Sequence, residues 1–386
     1  MAWLPLQAVA SVLALLAGAG VAHGFEFHEA TMGRLNPPLH AVIKVNPDVL
    51  QQAKRTDAEH RSSGHATASL HGVPVLLKDN IMTRDVLNTT AGSLALLGSV
   101  VRRDAGVAAR LRQAGAVVLA RAGRAPGPAW PPAAANMAAV TLGTETDGSI
   151  LCPSSFNSVV GIKPTLELTS RAGVVPITPL KDTVGPMCRT VLDAVHVLDA
   201  IVGYDELDAA ATGAASKYIP HGGYVQFLKK DGLRGKRIGV PNGFFQGYGK
   251  TQLNVYKKHL ATMRKLGAVV VDVAANLTAL LVEIGSNEGI AMKAEFKERL
   301  KDFGQPDLIA AQSTNGIGPV ERAAIRRLKE LNTEVLENPM KEHQLDTIVA
   351  PNSDISSLLA IGGHPGIVVP RGTTTRVSPL AYASAG

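Results

Sequence analysis

The sequence predicts a single α/β domain, and three observations predict it. Residues 102–114 place Val107, Leu111 and Ala114 on one side of a helix closed by Gly115, and the apolar run 116–120 follows at once as a strand. The same helix-to-strand step recurs at 251–266, Gly267 and 268–271. Residues 73–77 form a compact apolar run between Gly72 and Asp79-Asn80, as expected of a strand covered on both faces. A chain of 386 residues with 46% apolar content buries a core of that size readily.

The first 24 residues carry no charged side chain, and residues 4–22 are rich in Ala, Leu and Val. Ala22 and Gly24 put small side chains at the minus-three and minus-one positions of a cleavage before Phe25, so 1–24 reads as a secretory signal and 25–386 as the domain. An uncleaved anchor is the other reading of the same run. The sequons at Asn88 and Asn276 fit a secretory route and are candidate glycosylation sites. With the signal removed, no stable membrane span is expected.

Composition narrows the function. The net charge of +7 is scattered, and aromatic residues make up 4% of the chain, which excludes the clustered charge and stacking platforms of a nucleic-acid binder. Two cysteines, Cys152 and Cys188, make no disulfide scaffold and lack metal-ligand spacing, and the eleven histidines form no helical metal motif. No metal and no cofactor are expected. Cys152 reads as a small buried residue. The run 243–251 resembles a phosphate loop but has five residues between its glycines where the loop needs four.

In order along the chain, Pro37-Pro38 breaks an irregular entry before the β-like run 40–45, and 47–62 reads as a helix with Pro47 in its first turn. Lys78 ends the buried strand 73–77. Burial there disfavours the ammonium form and leaves an amine able to accept a proton, whereas a lysine reaching solvent from a strand end is the plainer reading. The β-forming run 137–142 feeds a turn at Thr146, Asp147 and Gly148 that delivers Ser149 where backbone N–H groups converge. Negative charge develops on one oxygen during attack at a carbonyl, and such N–H groups stabilise it. Helices are then expected at 192–202, 251–266, 285–303 and 319–342, with strands at 237–240, 268–271 and within 345–353 and 360–370.

GTETDGSILCP around Ser149, NSVVGIKPT, SRAGVVP (170–176), DTVGPMCRT (182–190) and, upstream, HGVPVLLKDN (71–80) together resemble the blocks of the amidase signature family. The resemblance runs from about residue 35 to 370 and implies a mixed central sheet flanked by helices. It also implies an amidase that acts on a small-molecule amide. Ser149 would attack the carbonyl, Lys78 would be the ultimate base, and the backbone N–H groups of Thr146, Asp147, Gly148 and Ser149 would hold the oxyanion.

The chain departs from that family at several places, of which one bears directly on the chemistry. The family passes the proton from nucleophile to lysine through a second serine, in a Gly/Ser-rich stretch about two dozen residues before the nucleophile. Here that place is the Pro/Ala-rich run RAGRAPGPAWPPAAAN, and no serine occurs between Ser99 and Ser149. Leu151 stands where many members carry arginine, and Ser154 and Ser155 read as hydrogen-bonding support or as structure. No strand of the family's kind is expected after Pro370. A catalytically impaired homologue lacking the bridging serine is therefore the competing expectation.

Overall fold

The computed structural model describes residues 30–63, 68–93, 96–123, 132–245, 247–274, 277–299, 313–370 and 380–383. Their strands form one mixed eleven-stranded sheet. In chain order the elements that matter are β1 (Val42–Val45), α1 (Val49–Ser63), β2 (Pro74–Lys78), α2 (Gly106–Gln113), β3 (Val117–Ala122), β4 (Val140–Glu145), α3 (Leu151–Phe156), β5 (Val160–Lys163), β6 (Thr183–Cys188) and α4 (Val191–Ile201). The second half adds β7 (Arg237–Pro241), α5 (Lys250–Lys265), β8 (Val269–Val273), α6 (Leu277–Arg299), α7 (Pro319–Asn332), β9 (Thr347–Pro351), α8 (Ser356–Gly362), β10 (Gly366–Val369) and β11 (Leu380–Ala383). Across the sheet the order is β1-β3-β2-β4-β6-β5-β10-β11-β9-β7-β8.

The strands 2, 3 and 4 are parallel neighbours, and so are 9, 7 and 8, while the strands between these groups pair antiparallel. Side chains alternate across β2, so that Val75 and Leu77 enter one core with Leu111 of α2 and Leu198 of α4. Leu76 points the other way, into a core with Val49 and Ala53 of α1. Helices thus cover both faces, which is why these strands read as unbroken apolar runs. Far along the sheet, Tyr256 and Met263 of α5 cover Ile238 and Val349.

Several bounds differ from the sequence expectation. The helix foreseen at 102–114 begins only at Gly106, and β4 runs three residues past 142 to Glu145, its ladder with β6 continuing to the Glu145–Thr183 pair. The long helix foreseen at 319–342 contains a π segment at Thr333–Glu337. β11 lies beyond Pro370, where no strand is expected, and fits between β10 and β9 by antiparallel pairing on both sides. Its four residues, LAYA, are apolar, but they follow the largely polar run 371–379, and so short a run behind it does not stand out in the sequence.

Leu76→Ala removes a fully buried side chain from the centre of the sheet. A loss of about 2–5 kcal/mol is expected, read as a lower urea midpoint with an unchanged slope.

Candidate active site

β2 and β4 lie side by side and parallel, with Leu77 opposite Leu142, so both reach the same edge of the sheet. Lys78 closes β2 there. Its Nζ donates to the Thr144 carbonyl at 3.0 Å and to Thr144 Oγ1 at 2.9 Å, and Asn80 Nδ2 donates to the same hydroxyl at 3.0 Å. Lys78 is half-buried and is tied to β4 five residues before Ser149.

After Glu145 the backbone leaves β4 and turns through Thr146, Asp147 and Gly148. Gly148 has φ +77°, a left-handed conformation that favours glycine, and a Cβ there would stand a tight 3.2 Å from Ser356 Oγ. The Cys152 N–H then bonds the Gly148 carbonyl at 2.7 Å and α3 begins. Ser149 is exposed, and its hydroxyl bonds no other described residue. The N–H groups of Asp147, Gly148 and Ser149 likewise donate to no described residue. Chemically, this is an accessible hydroxyl beside a set of unspent amide donors.

Three carboxylates hold this turn in shape. Glu145 is buried, and its Oε2 accepts the N–H groups of Ile150 at 2.6 Å and Leu151 at 2.8 Å, joining the two ends of the turn. Burial pushes the Glu145 carboxyl up, and Lys163 and the two N–H donors oppose that shift. Lys163, fully buried at the end of β5, donates to the carbonyls of His364 at 2.6 Å and Pro164 at 3.2 Å. Burial draws its pKa down to about 8 against the raising effect of Glu145.

Thr146 Oγ1 donates to Asp182 Oδ1 at 2.5 Å, and Asp182 Oδ2 accepts the N–H groups of Ile177 at 2.7 Å and Thr178 at 2.9 Å. Asp147 Oδ2 accepts from Ser357 Oγ at 3.1 Å. Glu288 of α6 faces Asp147 and is paired with Lys181 in a buried contact. Burial, with the Asp147 carboxylate beside it, raises the Glu288 carboxyl, and Lys181 offsets part of that shift.

Lys78, Thr146, Asp147, Gly148 and Ser149 therefore gather at one edge. Cys152 is half-buried rather than buried, and burial raises its thiol despite a hydrogen bond with Ser353, which keeps it protonated. Ser154 is buried without a hydrogen-bond partner among the described residues, and its hydroxyl fills the space over Gly161, so its part is packing. Asn88 is half-buried, and the sequon's Thr90 is engaged by the Asp79 carboxylate through both its hydroxyl and its N–H. Asn276, the leader 1–24 and the run 124–131 lie outside the described residues.

Among the described residues no group of His, Cys, Asp and Glu is arranged to hold a metal, and no helix is long and apolar enough to cross a membrane. Glu145, Lys163, Thr144 and Asp182 sit inside the blocks that carry the family resemblance but receive no role from sequence reasoning. Their partners are distant in sequence, and only the fold brings them together. Lys181, Glu288 and Ser357 had no signal at all.

Two changes test the turn. Glu145→Ala leaves the Ile150 and Leu151 N–H groups without their acceptor in the interior, and a loss of roughly 1–3 kcal/mol is expected by denaturant unfolding. Glu288 holds its proton more tightly folded than unfolded, so its stabilising share is complete below the ordinary carboxylate range and is lost as pH rises toward and through neutrality. Between about pH 5 and about pH 8, wild type should lose stability relative to Glu288→Gln, read as the difference between their unfolding midpoints.

The amidase family profile matches residues 30–123 and 133–348, and its break falls on the Pro/Ala-rich run. The chain is 43% identical over 433 residues of alignment to a probable amidase of Arabidopsis thaliana, covering 94% of this chain and 82% of that protein. That alignment is longer than the 386 residues of the chain, so gaps fall on this side. A putative amidase of Schizosaccharomyces pombe is 37% identical over 292 residues, 66% of this chain and 49% of its own length. Among solved structures, PAM12A superposes with a TM-score of 0.86 at 32% identity, covering 96% of this chain and 92% of its own. The peptide amidase of Stenotrophomonas maltophilia gives 0.82 at 32%, covering 94% and 89%. With the profile spanning most of the chain and the same architecture in these relatives, the chain belongs to the amidase signature family.

Proposed function

We propose that this chain hydrolyses the C–N bond of a carboxylic amide through an acyl-enzyme on Ser149. Ser149 Oγ attacks the carbonyl carbon, and its proton passes to Lys78. The oxyanion is held by the backbone N–H groups of Thr146, Asp147, Gly148 and Ser149. The proton is returned to the departing nitrogen, the C–N bond breaks, and water attacks the ester to release the acid. No cofactor enters this sequence. The observation that carries the reading is Lys78, bonded to β4 five residues ahead of an exposed Ser149 whose turn leaves amide donors unspent.

A peptide amide is the substrate class favoured here, on the likeness to the Stenotrophomonas maltophilia peptide amidase. The uncharged leader at 1–24 and the sequon at Asn88 support a secretory location. One observation favours a second reading, a homologue of reduced activity: the family profile breaks where the bridging serine belongs. General-base assistance contributes roughly 10²- to 10⁴-fold, which sets the scale of what an unbridged site loses.

A serine-directed fluorophosphonate should label wild type and leave Ser149→Ala unlabelled in a gel read by probe fluorescence. Equal labelling of the two would remove Ser149 as the nucleophile.

A further inference from the structure

The missing serine leaves a question of chemistry: which hydroxyl, if any, touches the base. Between Ser99 and Ser149 the chain has only three hydroxyl-bearing residues, Thr141, Thr144 and Thr146. Thr141 is buried on β4 with its hydroxyl unpartnered among the described residues, and the Thr146 hydroxyl is spent on Asp182. Thr144 remains, and it contacts Lys78 directly. Its Oγ1 stands 2.9 Å from Lys78 Nζ and 3.0 Å from Asn80 Nδ2, on the strand that leads into the Ser149 turn.

We propose that the Thr144 hydroxyl relays the proton between Ser149 and Lys78, in the role that a serine of the absent Gly/Ser-rich block would have filled. The inference rests on the reading of Ser149 as nucleophile and Lys78 as base. A hydroxyl has two lone pairs and one proton, and Asn80 occupies one lone pair. When Lys78 is an ammonium it donates to the other lone pair. When Lys78 is a neutral amine, its lone pair instead receives the Thr144 proton, and the second lone pair of Thr144 is free to accept.

As the bond from Ser149 Oγ to the carbonyl carbon forms, the Ser149 proton moves through one water molecule to Thr144 Oγ1. The Thr144 proton moves to Lys78 Nζ, giving an ammonium. Reversal of the same transfers delivers a proton to the leaving nitrogen as the C–N bond breaks. Asn80, fixed to the same oxygen, orients the hydroxyl in both halves of the cycle.

Thr144→Val keeps the shape and removes the hydroxyl, whereas Thr144→Ser keeps the hydroxyl and removes a methyl group. The rate of fluorophosphonate labelling at Ser149 is to be followed for wild type and both variants across pH, with thermal unfolding of each. Thr144→Val is expected to slow labelling about 100-fold or more, and Thr144→Ser to restore it to within about threefold of wild type. A role in packing alone would leave Thr144→Val at the wild-type rate. Labelling of Thr144→Val at the wild-type rate overturns the relay, and so does a Thr144→Ser as slow as Thr144→Val. If wild type and Ser149→Ala label alike, the nucleophile assignment itself falls and takes the relay with it, an outcome distinct from the other two.

Discussion

The buried Glu145 carboxylate is the interaction on which the site depends. It sits at the last position of β4 and reaches across the turn to the N–H groups of Ile150 and Leu151, so the residues between are held in a closed loop. A charge so far from solvent is costly unless it is matched. Lys163, buried at the end of β5, supplies the opposite charge, and the two N–H groups supply the hydrogen bonds. The turn is therefore held by its ends and side chains, while the N–H groups of Asp147, Gly148 and Ser149 donate to no described residue. Asp182 and Ser357 hold the flanks of the same loop through Thr146 and Asp147.

This division of labour decides what could be read from the chain. Buried strands such as β2 and β3 were legible because both faces are covered, and an unbroken apolar run records that directly. Gly148 was legible because a left-handed backbone position favours glycine. Lys78 and Ser149 were legible from local wording together with family resemblance. By contrast, the Glu145–Lys163 pair joins residues on different strands, and Lys181–Glu288 spans more than a hundred residues. No local pattern encodes such a meeting. β11 escaped notice for another reason: it is only four residues long, LAYA, and follows the largely polar run 371–379. The half-burial of Cys152 depends on Ser353 and its neighbours arriving from the far end of the chain.

The lost Gly/Ser-rich block sits at an informative place. The family profile resumes at 133, just ahead of β4, and β4 keeps its full ladder with β6 on one side and β2 on the other. The strands that carry Lys78 and lead to Ser149 are thus complete beside the break in the profile. Fold and chemistry are separable here because the sheet is stabilised by its two apolar layers, whereas proton transfer is sensitive to a single oxygen atom.

The order of the sheet has one further consequence. Among the described residues β1 and β8 end it, and the strand pairing that joins its members would equally accept a strand from another molecule. β8 is VVVDV, with Val269 46% exposed, a composition suited to such addition. Asp272 is exposed on that strand, and Lys44 is exposed on β1 at the opposite margin. Stacking of one copy on another along either margin would have to desolvate a charge, so these two side chains oppose aggregation of a sheet whose described strands leave two open margins.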